Sequence, residues 1–81
     1  MQITIEFFGV LRSLAGTAQT NLALTPGASV DDACRILAAH FPDLAARLKS
    51  TACAVGDSLV ARSTHLADGT TLALIPPVSG G

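Results

Sequence analysis

The residues of this sequence best placed to do chemistry are the last six, Pro76-Pro77-Val78-Ser79-Gly80-Gly81. Two consecutive prolines favour the extended polyproline conformation, which resists folding back and aims the next residues away from a domain. The four residues after them reach about 13–14 Å at full extension. Gly80 and Gly81 have no side chains, so this end fits a narrow channel and takes backbone angles closed to other residues. A carboxylate at such a tip is suited to be a substrate inside another protein. A Gly-Gly ending by itself also reads as a frayed terminus, so its weight depends on the residues before it.

The other reactive residue types are poorly arranged for chemistry. Cys34 and Cys53 are too few for a disulfide framework and are not spaced as a metal clip. They read as two small buried thiols. His40 and His65 have no carboxylate or cysteine at metal-ligand spacing, and a lone His without an oriented partner is weak ground for catalysis. Ser29, Ser63 and Ser79 lack a nucleophile-elbow context, and Gly9, Gly16 and Gly27 lie too far apart to cradle a phosphate. The body is therefore expected to hold no metal, no cofactor and no catalytic site of its own.

Composition narrows the partners. Eighty-one residues make one domain, and 49% hydrophobic against 14% charged residues argue for a packed globule. With three Phe and neither Trp nor Tyr, the core must be aliphatic and little is left to stack on nucleobases. Arg12, Arg35, Arg47, Lys49 and Arg62 are scattered and balanced by six acidic residues, so no basic stripe for nucleic acid is expected. No apolar run approaches the ~18–20 residues that span a bilayer. The chain opens on strand-like residues rather than on a basic and then apolar leader, so a cytoplasmic protein is expected.

The elements that must position the tail emerge from periodicity. Gln2 to Val10 alternates, with Ile3, Ile5 and Phe7 on one side and Thr4, Glu6 and Phe8 on the other. Leu11 to Ala15 reads as a helical turn stopped by Gly16. Thr20, Leu22 and Leu24 alternate again up to the turn Pro26-Gly27. Ser29 is an N-cap with Asp32 completing an approximate capping box, and Val30, Ala33, Cys34, Leu37, Ala38 and Phe41 form one helical face. Pro42 ends that helix at Phe41 and opens a second short one through Leu48. Thr51–Val55 and Ser58–Ala61 read as a hairpin about Gly56-Asp57, and Thr71–Ile75 is a last strand closed by the two prolines. A hairpin, a long crossover helix and further strands make an α+β domain, the ubiquitin-like β-grasp. A mixed sheet of four to five strands packs on one main helix over residues 1–75, and residues 76–81 form the extended diglycine tail.

With these elements and this ending, the sequence resembles the small, sulfur-carrying subunits of molybdopterin synthase, of the diglycine sulfur-carrier family. The matching residues are Ile5-Glu6-Phe7-Phe8-Gly9-Val10-Leu11-Arg12, Leu14-Ala15-Gly16, the turn Leu66-Ala67-Asp68-Gly69, and the ending Pro76-Pro77-Val78-Ser79-Gly80-Gly81. The likeness spans the whole chain. Sulfur carriers of thiamine synthesis and tRNA thiolation share the diglycine but usually lack the Pro-Pro-Val before it.

The resemblance implies a cosubstrate. An adenylyltransferase of the ubiquitin-activating type would adenylate the Gly81 carboxylate with ATP and magnesium, and a cysteine-derived sulfur donor would replace AMP to leave a thiocarboxylate. Pro76, Pro77, Val78, Ser79 and Gly80 would insert into the large synthase subunit, where the sulfur attacks cyclic pyranopterin monophosphate to build molybdopterin. Two small and two large subunits would form a heterotetramer. Phe8, Leu59 and Ile75 match an apolar patch that contacts the large subunit and the activating enzyme, and Arg12 matches a basic position at the same interface. Ile75 departs from the aromatic residue expected at its position. A minor core cluster for Phe8 and a plain solvated charge for Arg12 stay open. So do two other functions: a diglycine sulfur carrier for thiamine, tRNA thiolation or cysteine synthesis, and a non-covalent ubiquitin-like module with an inert terminus.

Overall fold

A computed structural model describes residues 1–77, and Val78, Ser79, Gly80 and Gly81 lie outside the described residues. The chain runs β1 (Gln2–Phe7), α1 (Val10–Ala15), β2 (Gln19–Ala23), α2 (Val30–His40), a 3-10 turn (Pro42–Leu44), α3 (Ala45–Leu48), β3 (Ala52–Val55), β4 (Ser58–Val60) and β5 (Thr71–Ile75). The strands form one five-stranded sheet in the order β2-β1-β5-β3-β4. β1 and β5 pair in parallel at its centre, and the other neighbours are antiparallel. This is the β-grasp expected from the sequence, with the strand count settled at five.

Alternation decides which side of the sheet is buried. Ile3, Ile5 and Phe7 of β1, Leu22 of β2, Cys53 of β3 and Leu72 and Leu74 of β5 point to one side. Val30, Ala33, Cys34 and Leu37 of α2 cover them from above. Phe7 and Phe41 meet edge to face, with ring centres 5.6 Å apart. Each fully buried Leu, Ile or Phe contributes roughly 1.5–3 kcal/mol relative to exposure. The inner face therefore holds most of the molecule's stability.

α2 begins where its sequence says. The Ser29 hydroxyl accepts from the Asp32 amide at 3.2 Å, and the Asp32 carboxylate accepts from the Ser29 amide at 2.9 Å. That is a complete capping box, which satisfies two otherwise unpaired donors. The helix stops at Phe41, held at φ −127° and ψ 79° because the following Pro42 excludes helical geometry there.

Several strand and helix ends shift by a residue from the sequence reading, and two differences are larger. β1 ends at Phe7 rather than Val10, because Gly9 turns the chain at φ +55° and α1 starts at Val10. The segment opened by Pro42 is a 3-10 turn that relaxes into α-helix only at Ala45. Between β4 and β5, Leu66 is buried and its amide donates to the Ala28 carbonyl at 2.9 Å, which pins that loop to the start of α2. No helix of the described residues is long and apolar enough to cross a membrane.

Candidate functional site: the root of the tail and the open face of the sheet

β5 is the middle strand, so the chain leaves the sheet from its centre rather than from an edge. Ile75 pairs with Ala52 as the last register position of β5 on β3. Pro76 follows, half-buried, and then Pro77, exposed. Neither has an N–H to extend a ladder. The two prolines line a cleft of about 340 Å³ together with Val10, Arg47, Ser50 and Thr51. Gly80 and Gly81, with Val78 and Ser79, lie beyond the described residues.

Register brings the three expected patch residues to one side. The outer face carries Glu6 of β1, Ala73 and Ile75 of β5, Ala52 and Ala54 of β3, and Leu59 of β4. Ala54 stands opposite both Ala73 and Leu59, so Leu59 and Ile75 lie diagonally across β3 with only alanines between them. Phe8 follows Phe7, the partner of Leu74, and its amide donates to the Leu74 carbonyl at 3.2 Å, which sets it beside Ile75. Phe8 is 38% exposed and Leu59 73%, while Ile75 is half-buried. Among the described residues, no helix covers this face. Large apolar residues gathered on one open face call for an explanation that a single exposed one does not. Phe8 stands outside the buried cluster beneath α2.

Arg12 is exposed on α1, and its Nε donates to the Phe7 carbonyl at 3.4 Å, so the guanidinium stays at the end of β1 near the root of the tail. Val10, also 38% exposed, and Arg47 join this neighbourhood although the sequence reading did not single them out. Val10 had a usable signal, since it follows a glycine that breaks the strand alternation. Arg47 had none, because its nearness to the prolines is tertiary.

The remaining reactive side chains are not among those lining the cleft at Pro76 and Pro77. His65 Nδ1 lies 2.8 Å from the Gly27 carbonyl and tethers its loop, while His40 is exposed at the end of α2. Among the described residues no group of His, Cys, Asp or Glu could hold a metal. Cys34 and Cys53 are free and buried, as expected. Their surroundings include a basic group that their sequence neighbourhood does not show. The fold brings up Arg62, whose guanidinium also donates to the Leu48 and Thr51 carbonyls. The Cys53 thiol is lowered to about 7 by the hydrogen bond from Cys34, against burial, with Arg62 adding to the fall. That same hydrogen bond, with burial, pushes Cys34 upward.

Comparison with known proteins agrees with this geometry. The profile of the ThiS family matches residues 5–81. A molybdopterin synthase sulfur carrier subunit of Chlamydomonas reinhardtii is 36% identical over 84 residues, covering all of both chains. Among solved structures, SAMP1 from Haloferax volcanii superposes with a TM-score of 0.90 at 27% identity over all of both chains. A chain of the complex of subunits 1 and 2 of molybdopterin-converting factor from Helicobacter pylori gives a TM-score of 0.72 at 26% identity, again over all of both chains.

Proposed function

The chain belongs to the ThiS family, and from that premise we propose that it is a cytoplasmic sulfur carrier for molybdopterin synthesis, working through the carboxylate of Gly81. A carboxylate is a poor electrophile. Adenylation by a partner enzyme using ATP and magnesium releases pyrophosphate and leaves AMP as a good leaving group on the Gly81 carbonyl. Sulfur from a cysteine-derived donor then displaces AMP, and the product is a thiocarboxylate. The tail carries that sulfur into the large subunit of molybdopterin synthase, where it attacks cyclic pyranopterin monophosphate. Two rounds supply the two sulfurs of the dithiolene.

One observation carries the reading. The central strand β5 leads directly into Pro76-Pro77, beside an open apolar face that bears Phe8, Ile75 and Leu59. In this arrangement the sheet docks and the tail reacts. Phe8, Leu59, Ile75 and Arg12 form the contact with the large subunit and the activating enzyme, while Pro76 to Gly80 enter the partner's channel. The relatives support this assignment through a full-length sulfur carrier subunit and a two-subunit converting factor.

The test is intact-protein mass spectrometry after incubation with the host's activating enzyme, ATP and sulfide. The expected gain is the mass difference between sulfur and oxygen, abolished by deletion of Gly81 and reversed on adding the large subunit with its pterin substrate. No change with a competent enzyme would sink the carrier reading in favour of a non-covalent ubiquitin-like module. Retention of the sulfur in the presence of the large subunit and pterin would point to another acceptor pathway. The likeness to SAMP1, a small archaeal modifier protein, favours one further reading, in which the activated terminus modifies another protein in place of accepting sulfide. That reading predicts a covalent protein conjugate instead of a sulfur-sized gain.

A further inference from the structure

Five glycines in the fold have positive φ: Gly9, Gly16, Gly27, Gly56 and Gly69. At the last four, a side chain would meet nothing within 4 Å, so glycine is needed there for the backbone angle alone. Gly9 is different. Its φ of +55° and ψ of −135° fall in a region entered almost only by glycine. In addition, a Cβ built on it would stand 2.9 Å from Cγ of Pro76. Real Cβ atoms do not approach that closely, so the proline ring occupies the space that glycine leaves open.

The position of that contact gives it a use. The β-ladder holds the chain up to Ile75, and Pro76 and Pro77 offer no N–H to continue it. Packing must take over from hydrogen bonding at this point. Gly9 belongs to the turn between β1 and α1, where the Phe8 amide donates to the Leu74 carbonyl at 3.2 Å and the Arg12 amide to the Gly9 carbonyl at 3.1 Å. The turn is thus tied to β5 on one side and to α1 on the other. A direction set at Pro76 passes to Pro77 because a Pro-Pro pair is stiff.

We propose that Gly9 is a positioning residue for the tail: its bare backbone seats the Pro76 ring, so that the fold sets the direction in which the chain leaves the sheet. The proposal rests on the carrier reading for its consequence and on the Gly9–Pro76 contact for its geometry. A tail launched in a fixed direction from the docking face reaches a partner's channel without searching for it, and a displacement of about 1 Å far from the chemistry costs up to ~100-fold in rate.

A double-mutant cycle on the rate of thiocarboxylate formation tests the idea, using the full chain with the host's activating enzyme, ATP and sulfide. Gly9→Ala and Pro76→Ala are each expected to lower kcat by about tenfold. Pro76→Ala should do so with the thermal midpoint unchanged. Gly9→Ala also strains its backbone, so it is read only where circular dichroism shows a native fold. In Gly9→Ala/Pro76→Ala the added methyl has no Cγ to strike, so the double variant is expected to be no slower than Pro76→Ala alone. Losses that simply multiply, or Pro76→Ala reacting at the wild-type rate, would overturn the proposal. If the wild-type chain itself gains no sulfur, the carrier reading fails and the contact is judged by NMR. A cross-peak between the Gly9 Hα protons and the Pro76 ring then supports the seat, and its absence overturns it.

Discussion

The two faces of the central sheet are written by the same alternating strands and do opposite work. On β5, Leu72 and Leu74 are fully buried beneath α2, while Ala73 and Ile75 between and beyond them lie on the open side. β1 continues the pattern, with Ile5 and Phe7 inside and Glu6 outside, until Gly9 breaks the strand and leaves Phe8 exposed beside Ile75. The inner face is continuous and apolar, and α2 seals it together with Leu11, Leu44 and Leu48. The outer face sets small and polar residues around the apolar patch of Phe8, Leu59 and Ile75, with no helix over it among the described residues. A period of two thus gives an 81-residue chain both a buried core face and an open face bearing apolar side chains from one set of strands, with Pro76 and Pro77 following directly on the central strand.

The strongest way to break this comparison is at the tail. Deleting Gly81 is expected to abolish sulfur loading and leave the thermal midpoint unchanged, because the last strand ends six residues earlier at Ile75. Loading measured by intact mass and unfolding by circular dichroism check the two halves together. A large loss of stability would show that the terminus serves the body as well as the chemistry. Next in size are the neighbours Leu74 and Ile75. Leu74→Ala is expected to cost about 2–5 kcal/mol of folding stability through the cavity it opens, a large share of the ~5–15 kcal/mol available to a small domain. Ile75→Ala should cost less than half as much stability while weakening the complex with the large subunit. Urea titration and calorimetry measure the two effects, and equal destabilisation by both would erase the distinction between the faces.

Leu59 sharpens the comparison because it sits on the outer face with 73% of its surface exposed. Leu59→Asp is expected to leave folding stability within about 0.5 kcal/mol of wild type. Its affinity for the large subunit should fall about tenfold or more, since a charge would be desolvated in an apolar contact. Isothermal titration calorimetry gives the affinity directly. Unchanged binding would remove Leu59 from the interface and confine docking to Phe8, Ile75 and the tail.

Much of this arrangement was legible in the sequence, for physical reasons that differ from element to element. α2 was readable because its N-cap, acidic first turn and terminal proline are local signals, and each acts within a few residues. The inner face was readable from alternation alone. The end of β1 was not, because Phe7-Phe8 continues the hydrophobic run and only the backbone angle at Gly9 shows where the strand stops. The two prolines that close β5 were legible, but the residues around them were scattered in sequence. Val10, Arg47 and Thr51 meet Pro76 and Pro77 only through the parallel pairing of β1 with β5 and the antiparallel pairing of β5 with β3. The same limit hid Arg62, which approaches two cysteines distant from it in sequence. Local chemistry was visible, and long-range juxtaposition required the fold.

The smallest effect tests whether the cover of the inner face can be loosened without touching the outer one. Ser29 and Asp32 cap α2 on the side away from the patch, through the reciprocal bonds of the capping box. Ser29→Ala is expected to cost about 1 kcal/mol, with affinity for the large subunit unchanged. Asp32 adds a pH signature. The hydrogen bond from the Ser29 backbone, then that from the Ser29 side chain, hold its carboxyl below its ordinary value of 3.8 in the folded chain, and Arg35 beside it acts in the same direction. A carboxyl lowered on folding favours the folded state fully above its unfolded value, and that contribution fades as pH falls through the lower folded value. Stability should therefore decline below about pH 4, and Asp32→Asn should flatten that part of the decline while leaving neutral-pH binding intact. Thermal midpoints taken from pH 2 to 6 on both chains provide the check. A parallel decline in wild type and Asp32→Asn would assign the acid sensitivity to other carboxylates and leave the cap a purely local device. A loss of partner binding on loosening the cap would be the more consequential result, because it would mean that the helix over the inner face also shapes the outer one.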